Sequence, residues 1–296
     1  MVRQRRFYFS DLLSAIGAGL RSAPAWTGVL GLLFLFGLIG PSQADEQTPL
    51  RVCLLEDNLP YSSRQNEAGF DFDTAKIVAD ALGRPLAPVW IKNDSRITEI
   101  EESDFPLRRL SRSECDAIFS VPGPDAVKDS PKLTIGAPYY GAAFELIGRD
   151  GSTLVSIEAV AEKPIAVQAQ TIANFVLSAR KAQVRTFFSV ETALRSLAKG
   201  ETEAALLWGP AAGWYLHNHP DMRLTLAAGY EPSTVVRWNE HVATRKSDNT
   251  VREAIDAALS QLSTAGTLKE LMARYGIPFH QPFDSTYNLA EMQKLQ

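Results

Sequence analysis

Residues Gly69–Gly83 read GFDFDTAKIVADALG and lie between two short apolar runs, Leu50–Leu55 (LRVCLL) and Leu86–Ile91 (LAPVWI). Apolar side chains recur at helical spacing through Phe72–Leu82, which predicts an amphipathic helix that Gly83 ends. The two flanking runs predict buried strands. A strand, a helix and a strand in this order favour a largely parallel sheet with helices on both faces.

The same alternation continues along the chain. A third strand is predicted at Cys115–Val121 (CDAIFSV), after the polar stretch Asn93–Arg112, in which we expect a helix. The pattern then restarts, with strands at Pro164–Val167, Val184–Phe188, Glu203–Leu207 and Val242–Arg245, and helices at Thr171–Ala179, Val190–Lys199, Pro210–His217, Asn249–Ser263 and Leu268–Tyr275. Two α/β units with a long helical return predict two lobes joined by two crossing strands.

The first 44 residues have the composition of an export signal. Met1–Arg6 carries three arginines, Trp26–Gly40 is apolar and uncharged, and Ser42 and Ala44 are small residues placed as at a signal-peptidase site. We therefore expect cleavage after Ala44 and a periplasmic location. The apolar run is shorter than the ~20 residues of a membrane span, but the length of the leader leaves an uncleaved anchor as an alternative.

The charge of the mature chain narrows the range of partners. The whole chain has 30 basic and 34 acidic residues, and loss of the four arginines and one aspartate of residues 1–44 leaves a net charge of −7. An acidic surface disfavours nucleic acid and anionic lipid as the main partners.

Two cysteines, Cys53 and Cys115, fall in the mature part. In an oxidising compartment an even pair predicts a disulfide. The alternative is a pair of buried free thiols in neighbouring strands. No histidine lies near either residue in the sequence, so a metal site is not expected.

Several segments in a fixed order carry a family resemblance. They are LRVCLLEDNLPYS, GFDFDTAKIVADALG, CDAIFSVPG, APYYGAAFELI, PIAVQAQT, SVETALRSLAKGETEAAL and VREAIDAALSQLSTAGTLKELMARYGIP. Together they make the mature chain resemble periplasmic solute-binding proteins of the polar amino-acid type, family 3. The resemblance implies the α/β, two-lobed type II fold, whose lobes close on a ligand by hinge motion. It places lobe 1 at residues 48–147 plus 242–296, lobe 2 at 148–241, and hinge strands near Ile147–Gly151 and Arg237–Val242.

Two departures concern the charges that would hold an amino acid. In the family, an arginine before the PYY motif clamps the ligand carboxylate, but Ser120–Lys128 (SVPGPDAVK) has no arginine and contains Asp125. In the family, an acidic residue pairs with the ligand ammonium. At the matching position this chain has Trp208. Because an unpaired buried charge costs several kcal/mol, ordinary amino-acid binding is not expected.

The element LLWGPAAGWY (Leu206–Tyr215), with RVC, NLPYS and CDAI, is similar to a narrower group, the J-type accessory proteins of methanol oxidation. That resemblance implies partner binding to, or maturation of, a quinoprotein alcohol dehydrogenase and its cytochrome c. It implies no cofactor in this chain. The alternative partner is an ABC permease, with the chain as receptor for a small polar or amino-acid-like solute.

The residues expected to line the cleft come from strand ends and from the Trp-rich element. They are Tyr61, Ser120, Pro122, Gly123, Gln168, Gln170, Thr171, Trp208 and Gly209. Strand ends and helix N-termini are where α/β folds bind ligands, and aromatic rings offer flat platforms. The alternatives are packing for Tyr61, a rigid turn at Pro122 and a plain helix cap at Thr171.

Catalysis finds little support in the sequence. The four histidines, at 217, 219, 241 and 280, form no metal-binding spacing, and no nucleophile elbow or phosphate loop occurs. A carboxylate for acid–base chemistry could be Asp57, Glu145 or Glu240, but their spacing selects none of them. A dehydratase on the same scaffold would also need to recognise a carboxylate, so we expect a binding protein and not an enzyme.

Overall fold

The predicted strand–helix–strand unit opens the folded part of the chain. The computed structural model describes residues 48–92, 105–160 and 162–288. The strands at Leu50–Leu55 and Leu86–Ile91 are confirmed with the predicted bounds, and the helix between them runs from Phe70 to Ala81. The predicted leader, residues 1–44, lies outside the described residues, as do residues 93–104 of the polar stretch.

The secondary structure of the first half, in order, is β1 (Leu50–Leu55), β2 (Asp57–Asn58), β3 (Ser62–Ser63), α1 (Phe70–Ala81), β4 (Leu86–Ile91), α2 (Pro106–Ser111), β5 (Ile118–Pro122), β6 (Leu133–Ile135) and β7 (Tyr140–Arg149). That of the second half is β8 (Ile165–Gln168), α3 (Ile172–Ala179), β9 (Val184–Phe187), α4 (Val190–Ala198), β10 (Ala204–Trp208), α5 (Gly209–Asn218), β11 (Leu224–Leu226), β12 (Arg237–Arg245), α6 (Asn249–Thr264) and α7 (Thr267–Arg274). Each helix predicted after residue 164 is present within two residues of its predicted ends.

The strands of both lobes meet on two long central strands. One sheet has the order β5-β12-β7-β10-β8-β9. Strand β1 pairs in parallel with β4, and its Val52 forms an isolated bridge with Ala117, the residue before β5. Parallel pairing is found for β1–β4, β8–β10 and β8–β9. The prediction of a largely parallel sheet is wrong for the centre, because β7 and β12 run antiparallel to their neighbours.

Two buried cores lie on either side of the crossing strands. The first is built on β1, α1, α6 and α7, and the second on β8, β10 and α3. Strand β7 passes from one to the other, since Tyr140 and Ala142 belong to the first core and Phe144 and Leu146 to the second. The point at which β7 passes from one core to the other therefore lies just before the hinge predicted at Ile147–Gly151. The other predicted hinge stretch, Arg237–Val242, lies entirely within β12.

A disulfide joins Cys53 of β1 to Cys115, which precedes β5, with the two Cα atoms 5.6 Å apart. The alternative of two free thiols is therefore not what the structure shows. Both residues are buried in a third apolar cluster with Ile91, Leu110 and Ile118. The bond ties the edge strand pair β1–β4 to the strand that begins the central sheet.

Beside the disulfide, two arginines surround one acidic residue. The Asp116 carboxylate accepts hydrogen bonds from Arg51 at 2.6 Å and from Arg245 at 3.0 Å. Burial alone would raise the pKa of Asp116, but the hydrogen bonds from Arg51 and Arg245 lower it. This network fixes β1, β5 and the end of β12 to one another.

The chain after α7 lies along the crossing strands. The amide of Gly141 in β7 donates to the carbonyl of His280 at 2.9 Å, and the His280 ring nitrogen lies 2.6 Å from Glu145 Oε1. Farther on, Asn239 of β12 exchanges two hydrogen bonds with the backbone of Phe283, and the Tyr287 ring stacks on Trp238 at 5.4 Å. This C-terminal segment, residues 278–288, contacts both β7 and β12.

Candidate functional site

A cavity of about 570 Å³ opens between the two cores. Residues of the first lobe, among them Tyr61, Asp71 and Ser120, form one wall, and Phe144, Ile172 and Trp208 contribute to the other. Cavities of roughly 300–1,000 Å³ hold small molecules in known binding sites. The cavity therefore has the position and the size of a ligand cleft.

The structure brings five of the nine predicted cleft residues to this cavity, namely Tyr61, Ser120, Pro122, Thr171 and Trp208. The other four do not line it. Gly209 is buried against β7, Gln168 is half-buried and donates to the Phe188 carbonyl, Gln170 is exposed, and Gly123 lies in the turn after β5. Contact of any of the nine with a ligand stays a prediction.

One hydrogen bond crosses the cavity from lobe to lobe. The Trp208 indole Nε1 donates to the Tyr61 hydroxyl at 3.0 Å. The Trp208 ring also meets Phe144 and Trp238 edge-on, at centroid distances of 5.4 and 5.7 Å. Trp208 thus contacts both cores, and with Phe144 and Trp238 it forms an aromatic wall.

The residues around Trp208 explain the glycines of its sequence element. A methyl group at Gly209 would lie 2.8 Å from the Ala143 carbonyl, and one at Gly213 would overlap the Gly276 carbonyl. Both glycines therefore let α5 pack directly on β7 and on the turn after α7. Trp214 packs on the first core near Tyr275 and does not line the cavity.

Ser120 lies at the centre of a polar cluster on the first-lobe wall. Its Oγ donates to Asp71 Oδ1 at 2.6 Å and lies 2.9 Å from the Tyr140 hydroxyl. Its backbone amide donates to the Tyr139 hydroxyl at 3.0 Å. The φ of Ser120 is +51°, in the left-handed region that is uncommon outside glycine and costs energy. The two tyrosines are buried in the first core, and their hydroxyl groups complete this cluster.

Two buried acidic residues, Asp71 and Glu240, line the same cavity. Burial raises the pKa of Asp71 to about 7, although the hydrogen bond from Ser120 opposes this. Burial, followed by repulsion from the Asp71 charge, raises the pKa of Glu240 to about 8. Oε2 of Glu240 has no hydrogen-bond partner within the described part of the chain. Both carboxyl groups are thus poised to change charge near neutral pH.

The described walls of this cavity carry no positively charged side chain. None of its described lining residues is arginine, lysine or histidine. The nearby tyrosines remain neutral, because burial raises the pKa of Tyr61, Tyr139 and Tyr140 well above 10.0. The cavity can therefore attract a cation or donate a proton, but its described walls offer a carboxylate no partner of opposite charge.

Sequence reasoning missed Asp71 and could not choose Glu240 from three acidic residues. A signal for Asp71 was present, since it shares the buried face of α1 with Thr74, Ala75 and Val78 at helical spacing. An acidic residue on an apolar helix face marks a special environment. Nothing comparable marks Glu240, whose burial arises from the strands on both sides of it.

Neither the N-terminus of α3 nor the histidines form a second candidate site in the described part of the chain. Thr171 Oγ accepts the Asn174 amide at 3.3 Å, which is an ordinary helix cap. His219 bonds to the backbone of its own helix and His241 to the Gly136 carbonyl. Across the described ranges, no group of three or more His, Cys, Asp or Glu side chains is arranged to hold a metal ion.

A two-lobed α/β fold with its cavity at two crossing strands is the architecture of solute-binding proteins. The chain belongs to the bacterial extracellular solute-binding proteins, family 3, whose model matches residues 50–278. No curated protein matches the chain in sequence. In the part that the structure describes, no helix is both long and apolar enough to span a bilayer.

Solved structures share this fold at low sequence identity. The L-cystine solute receptor of Neisseria gonorrhoeae, unliganded and open, has a TM-score of 0.65 and 16% identity, over 78% of this chain and 93% of the receptor. MxaJ from Methlophaga aminisulfidivorans has a TM-score of 0.57 and 21% identity, over 78% and 99%. The periplasmic binding protein XoxJ from Methylobacterium extorquens has a TM-score of 0.57 and 22% identity, over 78% and 98%. At such identities these similarities show the fold alone.

Proposed function

We propose that this chain is a periplasmic accessory protein of a quinoprotein alcohol dehydrogenase, and that it binds that enzyme or its cytochrome c. The proposal includes export by residues 1–44, cleavage after Ala44, and lobes at residues 48–147 plus 242–296 and 148–241. The observation that carries it is the charge of the cavity, because a family member with no clamp for a free amino acid needs another role.

The residues that line the cavity disfavour a bound amino acid. A bound amino acid would place its carboxylate in a cavity that holds Asp71 and Glu240 and has no cationic side chain among its described walls. Burying such a charge unpaired costs several kcal/mol. The Trp208 ring also occupies the position where the family carries an acidic partner for the ammonium group, and its indole is already bonded to Tyr61.

The Trp-rich element supports the narrower assignment. Its two glycines are required by close packing of α5, and Trp208, the first of its two tryptophans, contacts both cores. The element therefore fixes the shape of the cavity and of the adjoining surface together. MxaJ and XoxJ share the fold, but the proposal rests on the sequence element and the cavity charge.

Size-exclusion chromatography of the purified chain with the dehydrogenase and with the cytochrome tests this role. We expect co-elution with one of them, and a change in dehydrogenase activity when the chain is withheld during maturation. An amino-acid-binding member of the same family serves as the matched control protein and should not co-elute. Absence of both effects, or micromolar binding of a free amino acid, would remove the proposal.

A second candidate is the receptor of an ABC importer. The size and aromatic wall of the cavity favour it, since they suit a small solute. A ligand present at 100 times its dissociation constant would add about 2.7 kcal/mol to the free energy of unfolding. A thermal-shift screen of metabolites would detect that gain, and a hit that also stimulates a cognate permease would favour this role over the first.

A further inference from the structure

The unpartnered oxygen of Glu240 points to the kind of group that the cavity receives. The Glu240 side chain is 2% exposed and lines the cavity, yet its Oε2 atom has no hydrogen-bond partner within residues 48–92, 105–160 and 162–288. Buried polar atoms in folded proteins are nearly always satisfied. A donor carried by a ligand would complete this atom, and a positively charged N–H donor would also neutralise its charge.

Asp71 adds a second acceptor to the same cavity. Its Oδ1 is used by Ser120, and the negative charge of Asp71 acts directly on Glu240. A cation bound to either carboxylate relieves this repulsion, whereas an anion increases it.

The remaining walls describe the body of the ligand. Phe144, Trp208 and Trp238 form the aromatic wall, and Leu54, Ile118 and Phe119 are apolar neighbours. Such surfaces bind apolar groups and attract ammonium groups through the ring faces. The Trp208 indole donates to Tyr61, so its N–H is not open to a ligand carboxylate.

We propose that the cavity binds a small amine with an apolar or aromatic body and no carboxylate, whose ammonium group is held by Asp71 and Glu240. This ligand class goes beyond the partner-binding role and does not depend on it. It also differs from a free amino acid because it lacks the carboxylate, for which the described walls offer no partner of opposite charge.

Binding of such an amine is coupled to release of protons. The groups that face Glu240 are Asp71 from α1 and the hydroxyl groups of Tyr61, Tyr139 and Tyr140, while His241 bonds to Gly136 on the other side of β12. Only the two carboxyl groups titrate near neutrality, and the amine requires them ionised. Affinity therefore rises with pH through about 7 to about 8, the pKa values of Asp71 and Glu240.

Three probes of nearly equal shape test the ligand class by titration calorimetry. Phenethylamine carries the ammonium group, 2-phenylethanol is its neutral counterpart, and phenylalanine is phenethylamine with an added carboxylate. We expect phenethylamine to bind about tenfold or more tightly than either of the others at pH 8. Equal affinity for phenylalanine, equal affinity for 2-phenylethanol, or no binding of phenethylamine at millimolar concentration would overturn the proposal.

Proton release and substitution provide the second readout. The dissociation constant of phenethylamine should fall by up to about tenfold per pH unit for each of the two carboxyl groups that has to ionise, with protons released into the buffer, and that of 2-phenylethanol should not change. Glu240→Gln should weaken phenethylamine about tenfold or more and leave 2-phenylethanol unaffected. Asp129→Asn, which removes an exposed carboxylate outside the cavity, is the matched control.

The wild-type comparisons of probe and pH decide the matter even if Glu240→Gln does not fold. A pH-independent affinity for phenethylamine would overturn the proposal. Failure to co-elute with the dehydrogenase leaves the amine result unchanged, so this inference and the proposed function can fail separately.

Discussion

Glu240→Gln should change how the stability of the protein depends on pH. Burial raises the pKa of Glu240 from its ordinary 4.5 to about 8. A raised pKa means that the folded chain keeps a proton that the unfolded chain has lost above about pH 4.5. The folded state is therefore destabilised as pH rises from the unfolded pKa towards the folded one, and its full stability is present only at lower pH.

The magnitude follows from the width of that interval. Each pH unit over which the folded chain holds the extra proton costs about 1.4 kcal/mol. Between about pH 5 and about pH 8, Glu240 should thus lower the free energy of unfolding of the wild type by up to about 4 kcal/mol relative to Glu240→Gln. The amide at position 240 has its own unsatisfied groups, but that cost does not depend on pH.

Urea unfolding of both proteins at about pH 5, 6.5 and 8 measures the effect, with the slope m used to check two-state behaviour. The curves for wild type and Glu240→Gln should diverge with pH in favour of the variant. Asp129→Asn, exposed and outside the cavity, should stay parallel to wild type. Parallel curves for wild type and Glu240→Gln would refute the assignment of a buried, protonated Glu240.

Three further changes test the packing around the cavity. Replacing Cys53 and Cys115 together by serine opens a loop of 62 residues and should cost about 4 kcal/mol in urea unfolding; a loss under 1 kcal/mol would contradict the constraint. Gly213→Ala should cost more than about 2 kcal/mol, because the added methyl group meets the Gly276 carbonyl; calorimetric melting measures it, and an unchanged midpoint would count against this packing. Trp208→Phe removes the hydrogen bond to Tyr61 and should cost about 1 kcal/mol in urea unfolding, whereas Trp214→Phe, outside the cavity, provides the comparison.

The sequence predicted best those elements that carry their own periodicity. Strands β1 and β4 and helices α3 to α7 were found within two residues because apolar spacing and caps are local signals. The residue pattern predicted strand β12 only from Val242, and its first half, Arg237–His241, was expected only from the family resemblance, since it is polar and lacks a strand pattern. That half becomes a strand through pairing with β5 and β7, which no local rule contains.

For the site, as for the fold, the sequence predicted residues that carry a local signal and missed those brought together by tertiary packing. Tyr61, Ser120 and Trp208 were predicted from strand ends and from the Trp-rich element, and all three line the cavity. The Asp71–Glu240 pair was not, because the two residues are far apart in sequence and meet only when α1 packs beside the crossing strands. Ser120 was predicted from its place at a strand end, and its hydrogen bond to Asp71 was not foreseen.

The C-terminal segment, residues 278–288, has a mechanical consequence. It is bonded to Gly141 and Glu145 on one crossing strand and to Asn239 on the other, and its Tyr287 supports Trp238 in the aromatic wall. The segment thus links the two crossing strands. When one lobe moves relative to the other, the segment has to move with it or lose some of these contacts. A chain that stopped before Gln281 would keep both cores and the bonds of His280 to β7, but it would lose the contacts with β12, and we expect its lobes to move more freely.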